Sequence, residues 1–266
     1  MIGLFLGDTD FSKTILNKIK RLNKKYFIID LSKNNIFCKD KNSFRISIGK
    51  FGKIIDLINK NKAKKVLFAG KILKPNFSTL RLDLKGIYYM PRILKAAKLG
   101  DASILKTIVK ILSKEKIKVI RSNFYSPELS LKSGNYSIIK PDHNDNNSIK
   151  KGIKYFKSLN SLDHVQAIIV KDDRIVAKEG KQGTKKMISK LKKNSDGILI
   201  KFPKPKQDLR LDLPTVGFNT LKDCKKFGLK GLVLKSRQNI FLDKEKCINF
   251  ANKNNIFIKV IWKKFL

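Results

Sequence analysis

Short apolar runs alternate with amphipathic stretches through the first half of the chain. The runs IGLFL, YFIID, KKVLFAG and KVI each have the length and composition of a buried strand. Between them, helices are predicted over Phe11–Asn23 and Phe51–Lys60, from a proline start at Pro91 to Leu99, and from a cap at Asp101 to about Lys114. Strands alternating with helices over short connections predict a parallel sheet wrapped by helices, that is, an α/β, Rossmann-like N-terminal domain.

The stretch SNFYSPELSLKSGNYS lacks helical periodicity and is rich in Ser, Asn, Gly and Pro, which is typical of a linker. It is centred near residue 131. The sequence therefore predicts two domains, a Rossmann-like N-terminal domain over residues 1–131 and a C-terminal, catalytic domain over residues 132–266 that carries the QDLRLDLPT segment.

The second half mixes several kinds of pattern. Helices are predicted over Asn144–Leu159 and Thr184–Lys193, and a last helix is predicted after a cap at Asp243. QAIIVKDDRIVAKEG has two β-rich runs that meet at Asp172 and Asp173, which predicts a hairpin, and GILIKF and IFIKVIW are further strands. A mixed α/β C-terminal domain with an antiparallel element is expected.

The formal net charge of +39 invites a nucleic-acid or anionic-membrane function. Among the 60 basic residues, however, only eight are arginine, the residue that phosphate and base-edge recognition favours. We therefore interpret most of the lysine excess as compositional drift. Three widely spaced cysteines predict no disulfide framework, and no run approaches 18 apolar residues, so a cytoplasmic protein without a spanning segment is expected.

Candidate chemistry lies where predicted strands end. GDTDF follows the first strand but lacks GxGxxG spacing, so it fails as a dinucleotide signature. FAGKILKPNF places Lys71 and Lys74 just after a strand, where they contact a ligand or form an ordinary solvated turn. GKQGTKK offers Gly183 and Thr184 at a predicted helix start, either as a phosphate cradle or as simple capping residues.

The segment KFPKPKQDLRLDLPTVG places two carboxylates and an arginine close together after a strand. In an extended segment Asp208, Arg210 and Asp212 would share one face, with leucines on the other. Such carboxylates could ligate Mg²⁺ or activate a water. They could equally form an Arg–Asp pair that organises the loop.

This segment strongly resembles the signature of the UDP-2,3-diacylglucosamine pyrophosphatases of the LpxI type, which act in lipid A biosynthesis. Further segments agree in order: GKFGKI, FAGKILKPNFSTLRLDLKG, MPRILKAAKLGDASIL and EGKQGT. The resemblance implies a two-domain enzyme with substrate bound between its domains. It also implies Mg²⁺-dependent hydrolysis of the UDP-sugar pyrophosphate to UMP and 2,3-diacylglucosamine 1-phosphate, known as lipid X.

The resemblance assigns the essential carboxylate of the DLPT element to Asp212. The family's EGTD appears here as Gln182 to Lys185, which loses two carboxylates, and its glycine-rich opening turn is GDTDF. The acids that are kept, Asp101, Glu179, Asp208 and Asp212, are the metal and water candidates, and Asp212, Asp208 and Glu179 are the predicted Mg²⁺ ligands. Predicted substrate-binding residues are Lys71, Lys74, Arg81, Gly183, Thr184 and Arg210.

Two other functions remain as alternatives to this hypothesis. A pyrophosphatase for soluble UDP-sugars would lack the apolar groove that acyl chains need, for which GIYYMP is a candidate wall. A nucleic-acid-binding protein is the less favoured alternative, because no nucleic-acid-binding signature is present. The predicted partners are the UDP-diacylglucosamine lipid and the cytoplasmic face of the inner membrane, with no specific nucleic acid; a homodimer stays open.

Overall fold

The computed structural model describes residues 1–72, 75–160, 165–180, 182–204 and 207–262, and for residues 101 and 102 it describes the backbone only. The chain forms two compact units. The first unit comprises Met1–Ser126 and Asp208–Asp212, and the second unit comprises Pro127–Gln207 and Leu213–Leu266. The segment Asp208–Asp212 therefore packs with the first unit, although its sequence neighbours on both sides belong to the second.

The first unit is built on a five-stranded parallel sheet in the order β3-β2-β1-β4-β5. This is the order of a doubly wound nucleotide-binding fold, with β1 in the centre. It confirms the predicted α/β class. The strands are β1 (Ile2–Leu6), β2 (Tyr26–Asp30), β3 (Ser43–Phe44), β4 (Lys65–Ala69) and β5 (Lys118–Val119).

The α-helices of the described part of the first unit are α1 (Asp10–Arg21), α2 (Phe51–Lys60), α3 (Leu84–Lys98) and α4 (Asp101–Lys114). The predicted start of α3 at Pro91 is wrong, because the helix begins seven residues earlier and contains Pro91 in its interior. Its N-cap is Asp83, whose carboxylate accepts a hydrogen bond from the Gly86 N–H at 2.8 Å. Gly100, rather than Asp101, occupies the N-cap position of α4.

One core cluster of the first unit lies between the sheet and three of its helices. Phe5, Phe27 and Ile29 of the strands pack with residues of α2, α3 and α4 in one buried cluster, which Leu211 also joins. Burial of such side chains contributes about 1.5–3 kcal/mol each. Leu211 is therefore a hydrophobic anchor that holds the segment Asp208–Asp212 on this unit.

The second unit contains a six-stranded mixed sheet in the order β6-β13-β11-β9-β7-β8 and a separate parallel pair, β10-β12. Strands β9, β11 and β13 run parallel, whereas β7 is antiparallel to both β8 and β9. Asp172 and Asp173 join β7 to β8 with φ of 46° and 57°, as a two-residue hairpin requires. The strands are β6 (Gly134–Asn135), β7 (Ala167–Lys171), β8 (Arg174–Lys178), β9 (Ile198–Lys201), β10 (Thr215–Val216), β11 (Gly231–Lys235), β12 (Ile240–Phe241) and β13 (Phe257–Ile261).

The helices of the second unit are α5 (His143–Ser158), α6 (Gly183–Ile188), α7 (Phe218–Lys226) and α8 (Lys244–Lys253). A capping box between Asp142 and Asp145 starts α5. Helix α6 is shorter than predicted and ends at Ile188, after which the chain turns. Within the described ranges, no helix is long and apolar enough to cross a membrane.

Leu131, at the centre of the predicted linker, is buried rather than solvated. Its N–H donates to the Asn239 side chain at 3.1 Å, and its carbonyl accepts from Asn239 Nδ2 at 3.3 Å. The Asn239 amide satisfies both backbone groups, so this polar stretch is an ordered part of the second unit. The change of unit falls between Ser126 and Pro127.

Candidate active site

The carboxyl ends of β1 and β4 meet in the first unit, at the point where a doubly wound sheet receives its ligand. Past the strand ends, the Gly7 N–H donates to the Ala69 carbonyl at 2.9 Å and the Asp8 N–H to the Lys71 carbonyl at 2.8 Å. A Cβ at Gly7 would lie 2.2 Å from the Lys71 carbonyl oxygen. The space beside Gly7 is therefore occupied by the backbone of Lys71, at the position where the phosphate loop of a nucleotide-binding fold would contact a pyrophosphate.

Gly70 bends the chain out of β4 and leads into Lys71. Its φ is +86°, in the left-handed region that favours glycine, and a Cβ would lie 2.0 Å from Ser12 Oγ. The Ser12 hydroxyl in turn donates to the Ala69 carbonyl at 2.8 Å. Glycine is required at this position by both conformation and space.

Residues Asp208 to Asp212 form a tight turn. The Asp208 carbonyl accepts from the N–H of Leu211 at 3.0 Å and from that of Asp212 at 3.3 Å, and the Arg210 carbonyl accepts from the Ser122 N–H at 3.1 Å. The sequence allowed a loop or a short extended segment here, and the structure forms a loop rather than an extended segment. The turn is what buries Leu211 against the first unit.

Asp208 and Arg210 form the predicted ion pair. Arg210 Nε donates to Asp208 Oδ1 at 2.9 Å, and Arg210 Nη2 donates to Oδ2 at 2.6 Å, a bidentate arrangement. These bonds outweigh the effect of partial burial and hold the pKa of Asp208 below its usual range, while the same pairing raises the pKa of Arg210. Both carboxylate oxygens of Asp208 are thus engaged by one arginine.

A cavity of about 290 Å³ lies in the first unit, enclosed largely by apolar side chains. Its lining includes Phe51 and Ile54 of α2, Met90 and Ile93 of α3, and apolar residues of α4. Among the described residues of this lining, Lys71 and Asp212 are charged. A carboxylate and an ammonium at the wall of an apolar cavity are suited to a ligand with one charged end and one hydrocarbon end.

The GIYYMP stretch contributes to this cavity in part. Met90 lines the cavity, whereas Tyr89 is buried and its hydroxyl donates a hydrogen bond of 2.7 Å to the Glu115 carboxylate. This hydrogen bond and burial raise the pKa of Tyr89 to about 12. Ile87 and Tyr88 are exposed and face away from the core.

A second polar cluster lies in the second unit around Thr184. The Thr184 hydroxyl donates to Glu179 Oε1 at 2.6 Å and accepts from Lys201 Nζ at 2.9 Å. Glu179 Oε2 accepts from the Gln166 N–H at 3.1 Å, and Lys201 also donates to the Thr215 carbonyl at 3.1 Å. The cluster thus links the end of β8, the start of α6, and strands β9 and β10.

Lys201 is the member of this cluster that the sequence did not single out, because one lysine among so many carries no distinguishing signal. Gly183, which opens α6, has φ of +84° and open space where a Cβ would stand. Its N–H donates to the Gly180 carbonyl at 3.0 Å, so this turn is closed by the chain's own backbone.

The remaining predicted residues are divided between these sites. Arg81 is exposed in the first unit and lies outside the lining of the cavity. Lys74 and the side chain of Asp101 lie outside the described part of the chain. Asp208, Arg210, Asp212 and Lys71 belong to the first unit, and Glu179, Gly183 and Thr184 to the second.

Among the described residues, no three His, Cys, Asp or Glu side chains form a cluster that could hold a metal ion. Asp208 is paired with Arg210, and Glu179 is bonded to Thr184 and Gln166. Asp212 lies at the wall of the apolar cavity. One carboxylate is compatible with Mg²⁺, which usually keeps several waters and binds substrate phosphates.

Comparison with known families covers nearly the whole chain. Residues 1–129 match the LpxI N-terminal domain, and residues 132–259 match the LpxI C-terminal domain. The fold and these matches define the protein as an enzyme, a hydrolase that acts on a phosphoric anhydride. The chain belongs to the LpxI family. It is 28% identical over 223 residues, 80% of each chain, to the UDP-2,3-diacylglucosamine pyrophosphatase LpxI of Caulobacter vibrioides.

Proposed function

We propose that this protein hydrolyses the pyrophosphate of UDP-2,3-diacylglucosamine to UMP and 2,3-diacylglucosamine 1-phosphate, in the cytoplasm, as a step of lipid A biosynthesis. The observation that carries the proposal is the apolar cavity with Asp212 and Lys71 in its wall. A diacylated sugar nucleotide combines hydrocarbon chains with a charged diphosphate, and this cavity offers partners to both. The similarity to the Caulobacter vibrioides enzyme supports the same substrate.

In this reaction a water oxygen bonds to one phosphorus, the bridging P–O bond breaks, and each product leaves as a monophosphate. The diphosphate repels an incoming nucleophile, so the site must offset its charge. We assign Asp212 to hold the attacking water and take its proton, and Lys71 to a phosphate oxygen. Asp212 would also hold Mg²⁺, which when bound would neutralise charge developing on the phosphate oxygens.

Asp208 is assigned to orient Arg210, which its two short hydrogen bonds hold in one position. We assign the remaining donors of Arg210 to a phosphate, from a pocket beside α4 and β5 that is separate from the apolar cavity. In the second unit, Glu179 and Lys201 fix the Thr184 hydroxyl, which donates its one proton to Glu179 and accepts from Lys201. Glu179 thus acts by positioning Thr184 rather than by binding metal.

The direct test is product analysis. Purified protein with Mg²⁺ and UDP-2,3-diacylglucosamine should release UMP and the diacylated sugar phosphate, and EDTA should abolish the release. Activity that persists after thorough chelation would contradict the metal-assisted mechanism. Equal turnover of UDP-N-acetylglucosamine would instead support the alternative of a pyrophosphatase for soluble UDP-sugars.

A cavity-filling variant tests the place of the acyl chains. Ile104 lines the cavity, so Ile104→Phe should fill part of it and raise KM for the diacylated substrate roughly tenfold, since overpacking a filled site costs about 1–3 kcal/mol. The matched control is Ile138→Phe, at a position that is 79% exposed in the second unit. Equal KM values for both variants and the wild type would show that acyl chains bind elsewhere.

A further inference from the structure

Helix α3 has two distinct apolar faces. Its inner face carries the buried residues Gly86, Tyr89, Ile93 and Ala96. Its outer face carries large apolar side chains in contact with solvent: Leu84 is 87% exposed, Ile87 59% and Tyr88 63%, and Leu94 and Leu99 are exposed as well. Leu84, Ile87, Tyr88 and Leu94 lie on one side of the helix, and Leu99 follows at its C-cap, so the exposed apolar residues form a stripe with Lys95 and Lys98 interspersed. An exposed apolar stripe of this size marks an interaction surface.

The charges on the same face are all positive. Arg92, Lys95 and Lys98 are exposed between the apolar residues, and the helix contains no Asp or Glu. The Arg92 guanidinium lies 5.4 Å from the Tyr88 ring centroid, so cation and aromatic ring are presented together. The outer face of α3 is thus apolar and basic at once, and the carboxylate of Glu115 pairs with Lys85 of this helix at 2.8 Å rather than with Arg92, Lys95 or Lys98.

We propose that the outer face of α3 docks the protein on an anionic bilayer surface, with the helix lying in the plane of the interface. A helix with aromatic and aliphatic residues flanked by lysines and arginines binds at the boundary of headgroups and acyl chains. Each Lys or Arg there gains from the negative surface potential. A second copy of the chain is a poorer occupant, because a twofold contact would bring Arg92, Lys95 and Lys98 against the same cations.

The inner face of α3 connects this surface to the candidate site. Met90 and Ile93 line the apolar cavity from the other side of the same helix. The connection rests on the proposed function, since it matters only for a substrate with acyl chains. For such a substrate, docking through α3 places the cavity one helix away from the bilayer that holds the lipid.

Vesicle sedimentation tests the docking independently of catalysis. Vesicles of phosphatidylglycerol with phosphatidylethanolamine are compared with vesicles of phosphatidylcholine alone, using full-length wild type and two double variants. Leu84→Gln with Ile87→Gln removes exposed apolar area, and Lys95→Gln with Lys98→Gln removes charge. The controls are Ile138→Gln with Val176→Gln, and Lys151→Gln with Lys154→Gln, exposed residues of the second unit that match in type and, for the lysines, in helical spacing.

Wild type should bind the anionic vesicles preferentially, and each α3 double variant should partition about tenfold more weakly, while the controls bind as wild type does. Turnover of substrate dispersed in detergent should stay unchanged in the α3 variants, whereas turnover of substrate in vesicles should fall with binding. Equal vesicle binding by α3 variants and controls would overturn the proposal. The proposal would also be overturned if the α3 variants lost self-association, measured by light scattering, but kept their binding to vesicles. A protein that binds vesicles through α3 but releases no UMP would refute the proposed function and leave the docking intact.

Discussion

At the scale of single residues, Asp212 and Asp208 have different surroundings and should have different roles. Asp212 is in the wall of the apolar cavity, whereas Asp208 is held by Arg210. Asp212→Asn keeps the size of the side chain but removes its basic oxygen. We expect turnover to fall about 10²–10⁴-fold, as for a general base, and further if metal binding is also lost. Initial rates of UMP release measure this effect.

Asp208→Asn is the matched comparison. It weakens the bidentate contact to Arg210 but leaves the cavity wall unchanged, so its loss of turnover should be smaller. Circular dichroism and substrate binding verify that both variants are folded and retain their ligand. Near-normal turnover in a folded Asp212→Asn protein would remove Asp212 from the mechanism, and a larger loss at Asp208 would exchange the two roles.

Substitutions at three glycines distinguish the cost of a positive φ from the cost of a steric clash in the free energy of unfolding. Gly180 has open space around a Cβ and an ordinary φ, so Gly180→Ala should change the free energy of unfolding little. Gly183 has open space but φ of +84°, so Gly183→Ala should cost about 1 kcal/mol. Gly70 combines φ of +86° with a contact at 2.0 Å, so Gly70→Ala should cost clearly more. Urea unfolding that ranks the three otherwise would contradict this account.

Individual residues also show which contacts could be predicted from the sequence and which could not. The resemblance of the DLPT element singled out Asp212, and the short spacing of Asp208 and Arg210 allowed their pairing to be anticipated. Lys201 could not be found in this way, because its role depends on Thr184 and Thr215 being brought together by folding. A contact of that kind carries no local sequence pattern.

At the scale of elements, Asp83 joins two helices of the first unit. Its carboxylate accepts from the N–H groups of Gly52 at 3.1 Å and Lys53 at 3.0 Å in α2, and of Gly86 at 2.8 Å in α3. Asp83→Ala leaves these donors without their acceptor, so the free energy of unfolding should fall by about 2 kcal/mol. Asp56→Ala, at an exposed position of α2, is the control and should have an effect within about 0.5 kcal/mol.

The same carboxylate predicts a dependence on pH. Partial burial alone would raise the pKa of Asp83, but the three N–H donors outweigh it and hold the pKa below its usual value of about 3.9. Its stabilisation is therefore fully present above that pH and is lost as the pH falls through the depressed value. The stability difference between wild type and Asp83→Ala should shrink on acidification, and a difference that grows would contradict the assignment.

Helix α3 shows why element boundaries were harder to predict than elements. Proline is common at the first position of a helix, so the pattern favoured a start at Pro91. In the structure Asp83 fixes the start, and the packing of Tyr89 and Ile93 holds the helix together through the proline. Tertiary burial outweighs the local cost of an interior proline, and only the folded chain shows that burial.

At the scale of the whole molecule, alternation of strands and helices predicted the parallel sheet correctly, because periodicity is a local property. The packing of the segment Asp208–Asp212 could not be predicted in this way, because the segment packs with the first unit through Leu211 while its sequence neighbours belong to the second. Its burial depends on residues roughly a hundred positions away. Composition and periodicity carry no signal of such a contact. The sequence therefore identified Asp212 as a candidate, but it could not predict which residues surround that carboxylate.

The net charge of the molecule leads to a last prediction. With a formal charge of +39, the protein should bind duplex DNA at low salt, because released counterions drive such binding whatever the sequence. Only eight residues are arginine, so base-specific contacts are not expected to add to it. The logarithm of the binding constant should therefore fall steeply and linearly with the logarithm of salt concentration, equally for two duplexes of one length and different sequence. Fluorescence anisotropy titrations measure both quantities, and a preference for one duplex that persists at physiological salt would show that the lysines serve nucleic-acid recognition.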